Sequence, residues 1–136
     1  MKAGTWSWID KSSFDFNNWV NGEPRNSSDS NCGAALIRGG KWITDNCNKL
    51  KQFVCEYNTS ISSTSVEVKS DPPKCPESWV YYNTTGFCYK LIRPNTTWHI
   101  AEALCVKENA HLASIHSYSE NLFITCKRFL QPYTTL

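Results

Sequence analysis

Seven cysteines in a chain of 136 residues limit what this sequence can become more than any other feature. A reducing cytosol keeps such density rare, and the spacing lacks the paired C-x-x-C pattern of a structural zinc site, so the cysteines are read as a disulfide framework. Four N-x-[ST] sequons, at Asn26, Asn58, Asn83 and Asn95, lie in polar, turn-like sequence and are candidate glycosylation sites. Together these features point to a secreted or extracellular protein. Met1 to Trp6 contains no apolar signal run, which leads us to expect a leader upstream of Met1 or a native start elsewhere. Nor does any stretch approach the roughly 20 apolar residues of a membrane span, so membrane insertion is not expected.

A composition of 40% hydrophobic, 13% aromatic and 19% charged residues is that of a folded chain with a real core, one domain or pieces of two. The net charge of +2 is spread over interspersed acids and bases and leaves no footprint for nucleic acid or an anionic membrane. Along the chain, Thr5 to Asp10 alternates large and polar residues as a half-buried strand does. Lys11 to Pro24 sustains neither period and reads as a long loop pinned by Phe16 and Trp19, a kind of segment that is usually functional. Ala34 to Ile37 and Trp42 to Thr44 flank Gly39 and Gly40, whose freedom at positive φ predicts an antiparallel hairpin, and Gln52 to Tyr57 predicts another strand. Residues 58–73, rich in Ser, Thr and Pro, have no apolar face and read as a linker.

After the linker, Cys75 to Lys90 predicts two aromatic strands about an Asn-Thr-Thr-Gly turn. Trp98, Ala101, Leu104 and Cys105 recur at helical spacing, with Asn109 as a left-handed terminator. His111 to Ile115 is a short apolar strand candidate. Ser117-Tyr-Ser-Glu120 matches a capping box, so a second helix should start there and carry Leu122 and Phe123 inward.

Two groups of motifs resemble the C-type lectin-like domain family. Trp19-x-x-Gly22-Glu23-Pro24, Cys32, Gly40-Lys41-Trp42, Cys47 and Cys55 look like the family's carboxyl-terminal half. Cys75-Pro-x-x-Trp79, Phe87-Cys88-Tyr89, Trp98-x-x-Ala101-x-x-x-Cys105, His111-Leu-Ala-Ser-Ile-His116 and Glu120-Asn-x-Phe-Ile124 look like its amino-terminal half. The resemblance implies an α+β, disulfide-stapled fold of short antiparallel strands, two helices and long loops. It also implies an unusual order: residues 1–57 as the tail of one domain, the linker 58–73, residues 74–124 as the head of a second, and an unmatched tail 125–136. That arrangement resembles a fragment of the tandem-domain secreted lectins of nematodes. Two assemblies remain open, a permuted domain whose halves dock within one chain, and separate half-domains or a swapped dimer.

The same resemblance implies the pairs Cys32–Cys47, Cys75–Cys88 and Cys55–Cys105, the last able to form only where the halves meet. Cys126 is left as a free thiol or as one end of a disulfide-linked dimer.

In the family, a calcium ion that grips sugar hydroxyls takes oxygens from five side chains, two of them in Glu-Pro-Asn and two after the strand Trp. Here Glu23 keeps its position, but Arg25 stands where the Asn would be, Ser30 where the acid before Cys32 would be, and Ile43 and Thr44 follow Trp42. An arginine sets a fixed positive charge where the ion would sit, and Ile offers no oxygen, so calcium is disfavoured and no other cofactor is expected. Asp29, Asp45 and Asn46 are nearby candidates for substitute ligands, with Asp45 one residue out of phase along its strand. The candidate carbohydrate-binding residues are therefore Glu23, Arg25 and Trp42. Trp19, Trp42 and Tyr57 either stack on a sugar ring or pack the loop and core, and Arg25 suits a sulfated or sialylated ligand.

Enzyme chemistry finds no support: there is no G-x-S-x-G, H-E-x-x-H or Gly-rich phosphate loop. His99, His111, His116 and Cys105 match no common zinc ligand spacing. The reading is a secreted C-type lectin-like binding protein whose partners are glycans or glycoproteins. Its alternative is a calcium-independent protein-interaction or structural ectodomain.

Overall fold

The protein was analysed as a computed structural model, which describes residues 5–59 and 75–125. The elements run β1 (Cys32–Ala35), β2 (Trp42–Asp45), β3 (Lys51–Asn58), β4 (Val80–Tyr82), β5 (Phe87–Thr96), α1 (Trp98–Lys107), β6 (His111–Leu112) and α2 (Tyr118–Thr125). β1 and β2 form a two-stranded antiparallel sheet, and a second sheet has the order β4-β5-β3-β6. All of its pairings are antiparallel. Among the described residues this is an α+β architecture of two antiparallel sheets, two helices and three disulfides.

The second sheet mixes the two ends of the sequence. β3 precedes the linker, yet it lies between β5 and β6, both of which follow it. Phe53 to Asn58 pair with Ile92 to Phe87, while Cys55 and Glu56 pair with Leu112 and His111. The ladder becomes irregular between Lys51 and Phe53, opposite the stretch of β5 that holds Pro94, whose missing N–H cannot serve a regular ladder. Cys55 and Cys105 are joined by a disulfide across 50 residues of sequence, fastening α1 beneath the sheet. By the chain-entropy estimate, closing a loop of that length contributes about 4 kcal/mol. Cys32–Cys47 and Cys75–Cys88 close much shorter loops, across separations of 15 and 13 residues.

Two apolar clusters fill the interior. One gathers Phe53, Cys55, Trp79, Cys88, Ala101, Cys105 and Ala110 between α1 and the sheet. The other centres on Trp42, with Tyr89, Ile115 and Ile124 behind it. Trp42 is only 4% exposed. Trp8, Phe14, Phe16 and Trp19 meet its ring, with centroids 5.8, 6.5, 5.7 and 5.6 Å away, so the aromatics of the long loop enclose it. Its indole Nε1–H donates to Asn121 Oδ1 at 2.7 Å, which satisfies the one polar atom that burial would otherwise strand. Asn121 Nδ2 and Asn18 Nδ2 both donate to the Gly40 carbonyl, at 3.0 and 2.8 Å. Gly40 sits at φ 61°, and a Cβ there would lie 2.5 Å from Asn121 Nδ2 and 2.9 Å from Thr125 Oγ1. Only glycine fits between the hairpin turn and α2.

Several sequence expectations are corrected by the structure. Residues 5–10 alternate in exposure as expected, but they form no strand, because alternation records sidedness and not the presence of a partner. β6 spans two residues where five were expected, and Asn58, assigned to the linker, is the last residue of β3 opposite Phe87. Thr125, assigned to the unmatched tail, ends α2. In the capping box, Ser117 Oγ accepts the Glu120 N–H at 3.2 Å, but the Glu120 carboxylate reaches past Ser117 to the His116 N–H at 2.8 Å. Leu122 is 43% exposed, with Asn121 and Ile124 turned inward in its stead. Asn109 does end α1 in the left-handed region, at φ 58°. Thr59, also assigned to the linker, donates its hydroxyl to the Gly86 carbonyl at 2.9 Å, while residues 60–73 and Cys126 fall outside the described residues.

Gly40→Ala should lower unfolding free energy by about 3 kcal/mol, combining left-handed strain with a clash against α2. Gly39, at φ 83° with nothing within 4 Å of its would-be Cβ, is the control. Gly39→Ala should cost only about 1 kcal/mol in urea unfolding with disulfides intact, the strain alone. Equal losses would remove the packing argument.

Candidate functional site

The long loop leaves the core at Asn18 and returns at Cys32, and its position is fixed at one end by β2. Trp42 N donates to the Asn18 carbonyl and Val20 N to the Trp42 carbonyl, both at 2.9 Å, so residues 18–20 lie along the outer edge of β2. Lys41 Nζ adds a bond to Asn18 Oδ1 at 2.9 Å. At the other end, the Cys32–Cys47 disulfide ties the loop to the base of the hairpin. Gly22, at φ 83°, turns the chain so that Glu23 points back at β2, and the Glu23–Pro24 bond is cis.

Donors from its own chain occupy both oxygens of Glu23. Oε2 accepts from the Thr44 hydroxyl, from Thr44 N at 3.0 Å and from Arg25 N at 3.1 Å, while Oε1 accepts from Arg25 Nε at 2.8 Å. The Thr44 hydroxyl, the Arg25 guanidinium and the Thr44 N–H hold the carboxyl at about 2, well below the ordinary glutamate range. Arg25 is 72% exposed in its side chain and turns only Nε inward. Its terminal nitrogens have no partner among the described residues.

The other sequence candidates separate. Trp42 cannot stack on a sugar, because loop aromatics and Asn121 cover its ring; its membership in the carbohydrate set is corrected by this burial. Trp19 and Tyr57 are half-buried against Trp42 and Trp79. Asp45 accepts from Lys49 Nζ and Lys51 Nζ, each at 2.7 Å, and these lysines hold its carboxyl far down. Asp29 is bonded within its own turn, to Ser27 and Ser28. His111 meets Glu102 at 2.6 Å, His99 lies edge-on to Trp98, and His116 meets Asp15 at 2.7 Å. Among the described residues no three His, Cys, Asp or Glu side chains are grouped to hold a metal ion. Of the sequon residues, Asn26, Asn83 and Asn95 are exposed and Asn58 is half-buried in β3.

One constellation went unseen in the sequence. His116 Nδ1 faces Asp15 Oδ1 at 2.7 Å and Nε2 faces Ser114 Oγ at 3.0 Å, the connectivity of a hydrolase triad. Ser114 is fully buried and its hydroxyl also touches Glu56 Oε1 at 2.7 Å and Asp10 Oδ2 at 2.9 Å, so no substrate carbonyl can reach it. The only local signal was Ser114 and His116 two residues apart, which says nothing about two acids roughly a hundred residues upstream.

Because the Glu23 carboxyl lies below its unfolded value, the stability it adds is present above about pH 4.5 and is lost as pH falls toward 2. Melting temperature should therefore drop less steeply between those values in Glu23→Gln than in the parent. Parallel slopes would show that the carboxylate is not held this way.

Residues 1–57 match the family model for the lectin C-type domain. The chain is 28% identical over 127 residues, 90% of its length, to C-type mannose receptor 2 of Rattus norvegicus. It is 33% identical over 113 residues, 81% of its length, to C-type lectin domain-containing protein 38 of Caenorhabditis elegans. It is also 36% identical over 86 residues, 63% of its length, to the secretory phospholipase A2 receptor of Bos taurus. It spans 8%, 26% and 6% of the lengths of these three relatives. No solved structure matches. The lectin C-type match over residues 1–57, together with the two helices, antiparallel sheets and three disulfides among the described residues, fits a C-type lectin-like α+β fold, a family whose members are typically binding proteins and not enzymes.

Proposed function

We propose that this chain is an extracellular C-type lectin-like recognition module that binds acidic glycans through Arg25, without calcium. The observation that carries the reading is the Glu23–Arg25 pair: Glu23 anchors one edge of the guanidinium at 2.8 Å while the side chain stays 72% exposed. A planar donor fork held in this way suits a sulfate or carboxylate, which it can meet with two parallel charge-assisted bonds.

Calcium does not fit the residues present. The ion needs six to eight oxygens, and Glu23, the only ligand position retained, already takes hydrogen bonds on both oxygens. Arg25 brings a positive charge to within bonding distance of that carboxylate, and Asp45 is engaged by two lysines. The extracellular setting rests on the disulfides and the exposed sequons Asn26, Asn83 and Asn95. No helix among the described residues is long and apolar enough to cross a membrane. The order tail, linker, head is supported by the match to the rat receptor, in which one aligned stretch of 127 residues passes through both halves. We read the chain as part of a longer, multi-domain protein.

A second reading, a protein partner, is favoured by the burial of Trp42, which removes the aromatic platform from the sugar set. A glycan array holding sulfated, sialylated and neutral mannose-type glycans, probed with calcium or with EDTA, separates these readings. Acidic glycans should bind equally in both buffers, weaken with salt, and lose at least about tenfold in affinity in Arg25→Ala. Calcium-dependent binding of neutral mannose glycans would overturn the proposal, and no binding to any glycan would favour the protein partner.

A further inference from the structure

Ser114 Oγ has one hydrogen to give and two lone pairs, but three polar atoms surround it: Asp10 Oδ2 at 2.9 Å, Glu56 Oε1 at 2.7 Å and His116 Nε2 at 3.0 Å. At most one of the three can accept from the hydroxyl, so the other two must donate to it. Asp10 is the acceptor. Burial raises its carboxyl, but bonds from the Ser12 hydroxyl and N–H and from Ser114 outweigh that and keep it below the usual range. Glu56 Oε1 must therefore carry a hydrogen, as must His116 Nε2, and because His116 Nδ1 faces the Asp15 carboxylate at 2.7 Å, that ring then donates from both nitrogens and is cationic. The second oxygen of Glu56 supports this count: Oε2 is buried with no hydrogen-bond partner, a place where an ionised carboxylate would be strongly penalised.

We propose that Asp10, Ser114 and Glu56 form a proton-held clasp that keeps residues 5–17 closed on the sheet while Glu56 is protonated and releases them when that proton leaves. The clasp joins three places distant in sequence: the amino-terminal segment, β3, and the turn between β6 and α2. With Glu56 ionised, two carboxylates would face one hydroxyl that can serve only one of them, and Asp10, on the least structured partner, is the one free to withdraw. Its segment leads directly to Asn18, so release would also loosen the base of the loop that carries Glu23 and Arg25.

Burial pushes the Glu56 carboxyl up to about 8, with the Asp10 and Glu120 carboxylates adding to the rise and the Ser114 bonds opposing it. A folded value above the unfolded one means that the stability from this proton is complete below about pH 4.5 and is lost as pH rises through 8. The other titratable groups around Glu56 are Asp15 and His116, paired with each other; Tyr89 opposite it on β5, bonded to Glu120 of α2; and His111 opposite it on β6, bonded to Glu102. The His116 ring meets Ser114 and not Glu56, and among the described residues none of these groups reaches Glu56 Oε2.

Hydrogen exchange read by mass spectrometry on the full, disulfide-bonded chain in EDTA tests the clasp. After correction for intrinsic rates, protection of peptides within residues 5–17 should fall about tenfold between about pH 6.5 and about pH 9, one unit above the midpoint. Glu56→Gln, which keeps an N–H donor for Ser114 but has no proton to lose, should show no such fall. A flat profile in the parent, or an equal fall in the variant, overturns the proposal. The Glu56 carboxyl carbon can also be titrated by NMR in the parent chain, where the outcome does not depend on the variant folding. A midpoint near 8 supports the clasp, and one in the ordinary range near 4 refutes it.

Discussion

Strand β3 takes both of its hydrogen-bonding edges from residues that come after it, β5 on one side and β6 on the other. A strand left with two open edges and a half-apolar face is neither stable nor soluble, so the first half of the chain depends on the second for its sheet. Everything else respects that constraint. The Cys55–Cys105 bond pins the strand's centre to α1, and the Trp42–Asn121 bond with the Gly40 carbonyl joins the hairpin to α2. Sheet, bridge and buried amide are three independent contacts across the same divide, and each is buried enough that breaking it strands a polar or apolar group.

With the scaffold fixed in this way, the loop above it can carry unusual charges. Glu23 takes its positive partner from its own loop, in Arg25. The same economy appears on β2, where Asp45 is flanked by Lys49 and Lys51. Below, in the buried network around Ser114, the acids outnumber nearby cations, and the balance is kept by a proton on Glu56. Burial decides between the two solutions: an arginine or lysine keeps its charged end at the surface, and Ser114 is fully buried.

Much of the fold was legible because its signals are local. Gly39 and Gly40 marked the hairpin, Asn109 the end of α1, and Ser117 with Glu120 the start of α2. What escaped was whatever depends on partners far along the chain. The alternation at Trp6 and Trp8 reported a buried side but could not say that no strand lay alongside. Glu120 was expected to close its own helix and instead bonds Tyr89 and the His116 N–H, because burial beside β5 offered it a phenol. At the site, Arg25 two residues after Glu23 and Ile43 after Trp42 could be read directly from the sequence. That Arg25 would bond Glu23, and that Trp42 would be core, needed the aromatic loop in place.

The reversed order of the two halves, closed within one molecule, is the claim on which the account rests. Non-reducing peptide mapping of protein that runs as a monomer under denaturing conditions tests it most directly. The account predicts a Cys55–Cys105 linkage in that monomer, beside Cys32–Cys47 and Cys75–Cys88. Cys55 and Cys105 both free in the monomer, or linked to each other only in a covalent dimer, would contradict it.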